Sequence, residues 1–324
     1  MRIFRTRIAT FAYLCFLGLP VTGVLAQSYP TKVVRYMIGD GAGSGNDIFG
    51  RIVAAGLTEL WGQQVIVDNR AGAAQRIAAD LAAKAPADGY TMLHMSATLG
   101  ANISLYKNLP YDLIKDFAPV TLLAMTPAVV VIHPSLPAKS LGDLINLAKA
   151  KPGALNFASA GTGSRSFVDA ALFVSMAGIN MVHVPYKGGG DALGAVIAGE
   201  IPMMFPPIVT AVSHIQAGRL RGLAVTSETR MPLLDVPTVA EAGVPGYASS
   251  GWYGLIVPAK TPKNIIAAIH RGVTNVLNKP DVRRRVEGLG TIPVGNRPEE
   301  FGAFIKSDIA LQARVFKAAG ITAN

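Results

Sequence analysis

Short apolar runs rich in β-branched residues alternate with helical patterns along most of this chain. Residues 33–38 predict a first strand, and the apolar spacing of residues 48–60 is that of a helix. A second strand at 65–67, an Ala-rich helix ending at Ala83 and a third strand at 90–95 follow. This alternation predicts an α/β fold in which helices cover a parallel sheet.

A long apolar stretch, residues 122–132, is split by Pro127. Such a break indicates one strand that leaves a first lobe and another that enters a second lobe. The alternation restarts beyond it and ends with a strand at 252–257 and two C-terminal helices. We predict two α/β lobes joined by two crossovers, with residues 27–125 and 251–324 in lobe 1 and residues 126–250 in lobe 2.

The N-terminus has the pattern of a secretory signal peptide, residues 1–26. Three arginines precede an apolar run at 8–19, Pro20 breaks that run, and small residues precede a cut before Gln27. A retained membrane anchor is the alternative, but the run is short for a membrane span. Cys15 is the only cysteine, so the mature chain has no thiol. We expect a periplasmic protein without disulfides.

Composition limits the partners of the chain. Half of the residues are hydrophobic and 15% are charged, which is typical of a well-packed globular protein. The net charge is +10, but lysines and arginines are scattered and are not interleaved with aromatic residues. Nucleic acid is therefore not an expected partner. A positive exterior favours the capture of small acids. Separately, we expect the protein to be a monomer.

Two Gly/Ser-rich turns, residues 39–47 and 158–166, each follow a predicted strand and precede a predicted helix. The first N–H groups of a helix have no internal partner and carry partial positive charge, so both turns are candidate anion sites. A capped helix after an ordinary loop is the alternative, but one such turn in each lobe favours a shared cleft. Asp47 is predicted to tie down its own loop. The predicted ligand contacts in these turns are Asp40, Gly43, Ser44, Asn46, Ala160, Gly161, Thr162, Gly163 and Ser164.

Further candidates follow strands at the expected cleft edge. Ser96 and Thr98 lie just past the third strand, where open α/β sheets bind ligands. Tyr186 follows a strand of lobe 2 and is predicted to donate a hydrogen bond. Phe205 ends the strand that precedes Pro206.

Motifs of catalysis and of cofactor binding are absent from the sequence. Neither Ser44 nor Ser164 lies in a nucleophile elbow, and neither turn matches a dinucleotide or phosphate-loop pattern. The five histidines are far apart and form no metal-ligand motif. We expect no enzyme, no cofactor and no metal, and an exported hydrolase is the disfavoured alternative.

Nine motifs are distributed from residue 29 to the C-terminus. They are YPTKVVR, DNRAGA, KAPADGYTML, SLYKNLPYDLIKDFAPV, HPSLPAKSLGDLI, ASAGTGS, VHVPYKGGG, GRLRGLAVTS and DVPTVAEAGVPGY. In these motifs the chain resembles the Bug-type periplasmic solute-binding proteins of tripartite tricarboxylate transporters. The resemblance implies a type II periplasmic-binding-protein fold, a small organic carboxylate ligand and delivery to integral membrane permease subunits. A sensor that passes the ligand signal to a membrane protein is the alternative.

The chain departs from the family pattern where ligand would bind. Asp40 replaces an aromatic residue, Phe167 a frequent histidine, Arg165 a small residue and Pro206 an aspartate that can hold an amino group. These changes disfavour amino acids and leave aliphatic or aromatic carboxylates. Phe167 would add an apolar wall. Arg165 would either bind a second carboxylate through its guanidinium or point to solvent. Asp40, if it enters the cleft, would repel dianions unless it pairs with Arg165 or with a donor of the ligand.

Overall fold

The computed structural model describes residues 29–318, and the predicted signal peptide lies outside this range. The strands are β1 (Val34–Ile38), β2 (Val65–Asn69), β3 (Thr91–Ser96), β4 (Phe117–Pro127), β5 (Val129–Ile132), β6 (Asn156–Ser159), β7 (Val182–Pro185), β8 (Met203–Met204), β9 (Arg221–Val225), β10 (Ser250–Pro258) and β11 (Ile292–Pro293). The helices are α1 (Gly45–Trp61), α2 (Arg76–Ala83), α3 (Ala97–Leu105), α4 (Leu141–Ala150), α5 (Arg165–Ala177), α6 (Gly189–Ile197), α7 (Ile208–Gln216), α8 (Lys263–Leu277), α9 (Pro280–Glu287) and α10 (Pro298–Ala318), with a short 3₁₀ turn at Ala73–Gln75.

Lobe 1 is built on a six-stranded sheet with the order β11-β4-β10-β3-β1-β2. Strands β1, β2 and β3 are parallel, but β10 runs antiparallel to both β3 and β4. The predicted parallel arrangement is confirmed for β1, β2 and β3 but does not extend to β10. The reason is topological, because β10 is the strand by which the chain returns to lobe 1 through the second crossover.

Lobe 2 is built on a five-stranded sheet with the order β7-β6-β8-β5-β9. Strand β6 is parallel to its neighbours β7 and β8, and β5 is antiparallel to β8 and β9. Two α/β lobes joined by two crossovers are as predicted. The predicted limits of the lobes stay a prediction. The chain passes from the lobe 1 sheet to the lobe 2 sheet between residues 127 and 129, and it returns between residues 225 and 250.

The two crossovers are hydrogen-bonded to one buried residue, Thr226. The Ala128 N–H donates to Thr226 Oγ1 at 2.8 Å, and the Thr226 N–H donates to the Ala128 carbonyl at 2.9 Å. From the second crossover, the Ser249 N–H donates to the Thr226 carbonyl at 2.8 Å. These bonds hold the connecting segments together beside the cleft.

The lobes share apolar packing as well as chain connections. Helix α1 covers the lobe 1 sheet with Phe49, Ile52 and Leu57, which are almost fully buried. Leu105 at the end of α3 and Phe316 in α10 belong to lobe 1 helices, yet both pack into the hydrophobic core of lobe 2. Within residues 29–318, no helix is long and apolar enough to cross a membrane.

Candidate functional site

A cavity of about 80 Å³ lies between the lobes, next to both crossovers. Its lining residues come from both sheets and from the crossovers: Gly45, Asn46, Ser96, Ala97, Thr98, Thr126, Ala128, Arg165, Asp169, Phe205, Pro207, Gly251, Trp252 and Tyr253. A larger cavity of about 740 Å³ is lined by lobe 1 alone, mostly by strands β4 and β10 and helices α8 and α10. None of the predicted site residues lines that larger cavity, so the interlobe cavity is the candidate site.

Four helices begin at this cavity, two from each lobe. Helix α1 contributes Asn46, α3 contributes Thr98, α5 contributes Arg165, and α7 begins directly after Pro207. The first-turn N–H groups of a helix lack an i−4 carbonyl, and each helix start carries partial positive charge of about +0.5 at most. The convergence of four such ends favours a bound anion.

The start of α1 is fixed by its own loop. The Asp47 N–H donates to Ser44 Oγ at 3.2 Å, and Asp47 Oδ2 accepts from the Gly43 N–H at 2.9 Å. Asp47 thus ties down its loop, as the sequence predicts. Position 45 requires glycine because the Tyr253 hydroxyl approaches its backbone closely, and a Cβ there would lie only 2.5 Å from that hydroxyl.

Asp40 does not line the cavity but supports residues that do. Its Oδ2 accepts a hydrogen bond from Asn46 Nδ2 and another from Gln75 Nε2 at 2.7 Å. Gln75 Nε2 also donates to Ser96 Oγ at 2.8 Å. Burial raises the pKa of Asp40, and the hydrogen bonds from Gln75 and Asn46 offset that effect only in part. Asp40 therefore positions Asn46 directly and Ser96 through Gln75.

Gln75 occupies a strained backbone segment. Ala73, Ala74 and Gln75 have φ values of 47°, 53° and 70°, in the left-handed region that residues with a Cβ rarely adopt. Asn102 Nδ2 holds the segment by donating to the Ala74 carbonyl at 2.9 Å. Such strain persists where the surroundings impose it, and it is commonest at functional sites.

Arg165 reaches the cavity wall, where it forms a buried ion pair. Its Nη2 lies 2.6 Å from Asp169 Oδ1, and the two side chains are 15% and 0% exposed. Ser249 Oγ donates to the same Asp169 oxygen at 2.6 Å and accepts a hydrogen bond from Arg165 Nη2. The charge of Arg165 is therefore balanced within the protein.

Five buried polar atoms on the lining residues have no hydrogen-bond partner within the described part of the chain. They are Asn46 Oδ1, Thr126 Oγ1, Arg165 Nε, Asp169 Oδ2 and Trp252 Nε1. Buried polar groups are nearly always hydrogen-bonded, and an unsatisfied one costs roughly 1–3 kcal/mol. The lining residues thus hold two unpaired acceptors, two unpaired donors and one hydroxyl that can act as either.

Five of the predicted ligand contacts line the cavity: Asn46, Ser96, Thr98, Arg165 and Phe205. The other ten do not: Asp40, Gly43, Ser44, Ala160, Gly161, Thr162, Gly163, Ser164, Phe167 and Tyr186. The loop before α5 turns through Gly161 and Gly163, both with positive φ, while Ser164 caps α5 by accepting from the Phe167 N–H. Contact between this loop and a ligand stays a prediction.

The position predicted for Phe167, an apolar wall of the cleft, is corrected by the structure. Phe167 is buried inside lobe 2, with its ring centroid 4.6 Å from that of His183 and 6.5 Å from that of Phe157. Helix α5 instead faces the cavity through Arg165 and Asp169, which lie four residues apart on one side of the helix.

Sequence reasoning missed nine lining residues. They are Gly45, Ala97, Thr126, Ala128, Asp169, Pro207, Gly251, Trp252 and Tyr253. Gly45 lies in the predicted turn 39–47, and Ala97 lies between the predicted contacts Ser96 and Thr98. Asp169 also had a readable signal, because an acid four residues after Arg165 on a predicted helix forms an i,i+4 pair. The others reach the cavity through tertiary packing.

His94 lies beneath the site in lobe 1 and does not line the cavity. Its Nδ1 is 3.0 Å from the Tyr36 hydroxyl, and burial lowers its pKa to about 3. It is therefore neutral in the folded protein. Among residues 29–318, no group of three or more His, Cys, Asp or Glu side chains is arranged to hold a metal ion.

A family model described as "Tripartite tricarboxylate transporter family receptor" matches residues 49–321. Protein BugT of Bordetella pertussis is 35% identical over 304 residues, which cover 92% of this chain and 92% of BugT.

Solved structures of similar proteins align over nearly their whole lengths. The protein Rpa4515 of R. palustris with adipate has a TM-score of 0.88 and 33% identity, covering 91% of this chain and 100% of that one. MatC (Rpa3494) from Rhodopseudomonas palustris with bound malate has a TM-score of 0.81 and 30% identity, covering 89% and 99%.

Proposed function

The chain belongs to the receptor family of tripartite tricarboxylate transporters, and on that premise we propose that it captures a small organic carboxylate between its two lobes. It does so outside the cytoplasm, after export by the N-terminal signal, and delivers the ligand to membrane permease subunits. Relatives of similar fold bind adipate and malate, which supports a carboxylate as the ligand class.

The convergence of four helix starts on one interlobe cavity carries this proposal. Arg165 is the only cation among the lining residues, and Asp169 already pairs with it. The attraction for an anion therefore comes mainly from N–H groups at the starts of α1, α3, α5 and α7. Because these helices belong to both lobes, a bound carboxylate would favour the closed arrangement of the lobes.

Calorimetric titration tests capture. We expect at least one member of a panel of aliphatic and aromatic acids to bind and to raise the melting temperature. The matched primary amide of each acid, which has the same size and no charge, should bind at least about tenfold more weakly, as for the loss of a charge-assisted hydrogen bond. Equal binding of an acid and its amide would refute the helix-start argument.

Delivery needs a separate measurement. Cells that lack this protein should accumulate the ¹⁴C-labelled acid identified by the panel more slowly than cells that produce it. Unchanged uptake, with binding intact in the purified protein, would contradict delivery to a permease and leave capture standing.

A further inference from the structure

The side chains that line the interlobe cavity carry no net charge. Arg165 is their only cation and Asp169 their only anion, and the two lie 2.6 Å apart. The second carboxylate of a dianionic ligand would therefore find no unpaired cation among the lining side chains. The helix starts supply partial charges, each about half a unit at most, which suffice for one carboxylate.

A third acid lies close to the same pair. Burial raises the pKa of Asp308 of α10, the nearby Arg165 guanidinium offsets this in part, and Gln312 Nε2 donates a hydrogen bond to its carboxyl group. Where Asp308 is ionised, it disfavours a second carboxylate beside this pair. The carboxylate end of a ligand is thus favoured at the helix starts and disfavoured beside Asp169.

Asp169 itself presents an unused acceptor. Its Oδ1 is occupied by Arg165 Nη2 and Ser249 Oγ, whereas Oδ2 has no partner among the described residues although the side chain is fully buried. An ionised carboxylate has no proton to donate and cannot satisfy this atom. A hydroxyl can.

We propose that the site selects a monoanionic carboxylate with a hydroxyl group at its far end, and that Asp169 Oδ2 accepts the hydrogen bond from this hydroxyl. Asp169 is then a specificity-determining residue, and Arg165 acts through it by holding the carboxylate in place. This inference rests on the proposed capture of a carboxylate and specifies which carboxylate is preferred.

Ligand series that differ only at the far end test the inference by calorimetry. One series compares hexanoate, 6-hydroxyhexanoate and adipate, with homologues from four to eight carbons; another compares benzoate, 4-hydroxybenzoate and terephthalate. In at least one series the hydroxy acid should bind about 10- to 100-fold more tightly than the other two, as for a hydrogen bond to a charged group. A dicarboxylate or an amino acid as the best ligand would overturn the inference and leave carboxylate capture intact. Failure of every acid to bind would instead refute the capture itself.

Asp169→Asn sharpens the test because it keeps the shape of the side chain and frees the charge of Arg165. We expect the preference to reverse, with the dicarboxylate gaining at least about tenfold over the hydroxy acid. A purely structural role of Asp169 would weaken all three ligands by the same factor, and that result would overturn the inference.

Two further variants complete the design. Asp80→Asn removes the acid from another i,i+4 pair, Asp80 with Lys84, that lies away from the cavity, and it should leave the ligand ranking unchanged. If Asp169→Asn does not fold, the double variant Arg165→Met/Asp169→Leu removes the whole pair. It should bind the unsubstituted and hydroxy acids equally, and retention of the hydroxyl preference would contradict the role of Asp169.

Discussion

Gly163 of lobe 2 lies directly against Leu105 of lobe 1, so that a Cβ at position 163 would stand only 1.9 Å from Leu105 Cδ1. The backbone of Gly163 also has φ +83°, a conformation that favours glycine. The two lobes can pack this closely only because residue 163 has no side chain.

Gly163→Ala should therefore destabilise the protein through both steric overlap and backbone strain. Overlap in a packed core typically costs about 1–3 kcal/mol, and the positive φ adds about 1 kcal/mol. Gly178→Ala is the matched control, because Gly178 has φ +60° and a Cβ there would meet no atom within 4 Å, so that this variant reports strain alone. Urea unfolding gives the stability, and small-angle X-ray scattering gives the radius of gyration.

In a Leu105→Ala background, Gly163→Ala should cost less stability than in the natural chain, since that background lacks the methyl group that overlaps. Equal effects of Gly163→Ala and Gly178→Ala on unfolding and on the radius of gyration would contradict the interlobe contact.

The buried pair of Arg165 and Asp169 predicts a non-additive result. Asp169→Leu alone leaves a buried guanidinium without its partner and should cost about 3–5 kcal/mol. Arg165→Met/Asp169→Leu removes both charges and should recover most of that loss, because both penalties of desolvation disappear. The midpoint of urea unfolding measures each step, and a double variant no more stable than Asp169→Leu would argue against the pairing.

His94 predicts how stability changes with pH. Its pKa is about 3 in the folded protein and about 6.5 when unfolded, so between these values the unfolded state binds more protons. Stability should therefore fall as pH decreases from about 6.5 to about 3, by up to about 1.4 kcal/mol per pH unit. His94→Gln should flatten the plot of unfolding free energy against pH in this window. An unchanged slope in His94→Gln would exclude His94 as the cause.

Gln75 allows backbone strain to be separated from hydrogen bonding. Gln75→Ala removes the donors to Asp40 and Ser96 and should cost roughly 1–3 kcal/mol. Gln75→Gly removes the same donors but relieves the left-handed conformation at φ 70°. The glycine variant should be more stable than the alanine variant by about 0.5–1 kcal/mol, the reverse of the usual order in regular structure. Chemical denaturation of both variants measures the difference, and the usual order would refute the strain.

Most of the fold follows from local patterns in the sequence. Pro127 divides two apolar strands and marks the first crossover. Helix α3 was missed because its buried residues, such as Leu99 and Ala101, lie on opposite sides of the helix. The direction of β10 depends on the return of the chain from lobe 2, which no local pattern encodes.

The site was only partly predictable for a similar reason. The helix start that carries Asn46 was readable, since a Gly/Ser turn after a strand has a local signature, and Thr98 was readable from its place just past β3. The burial of Phe167 was not, because the choice of which side of α5 faces lobe 2 is set by packing against Phe157 and His183. Gln75 was missed because its role depends on a strained turn that no residue pattern announces.

Because four helices begin at the proposed site, backbone N–H groups would attract the carboxylate, and side chains would determine which carboxylate is preferred. Backbone N–H groups are present whatever the residue, so the attraction for a carboxylate survives most substitutions that leave the helices in place. Discrimination between acids falls on a few side chains, of which Asp169 is buried and Arg165 nearly so. A receptor of this kind can change which acid it prefers by one or two substitutions in α5, without rebuilding the backbone contacts that make it a receptor.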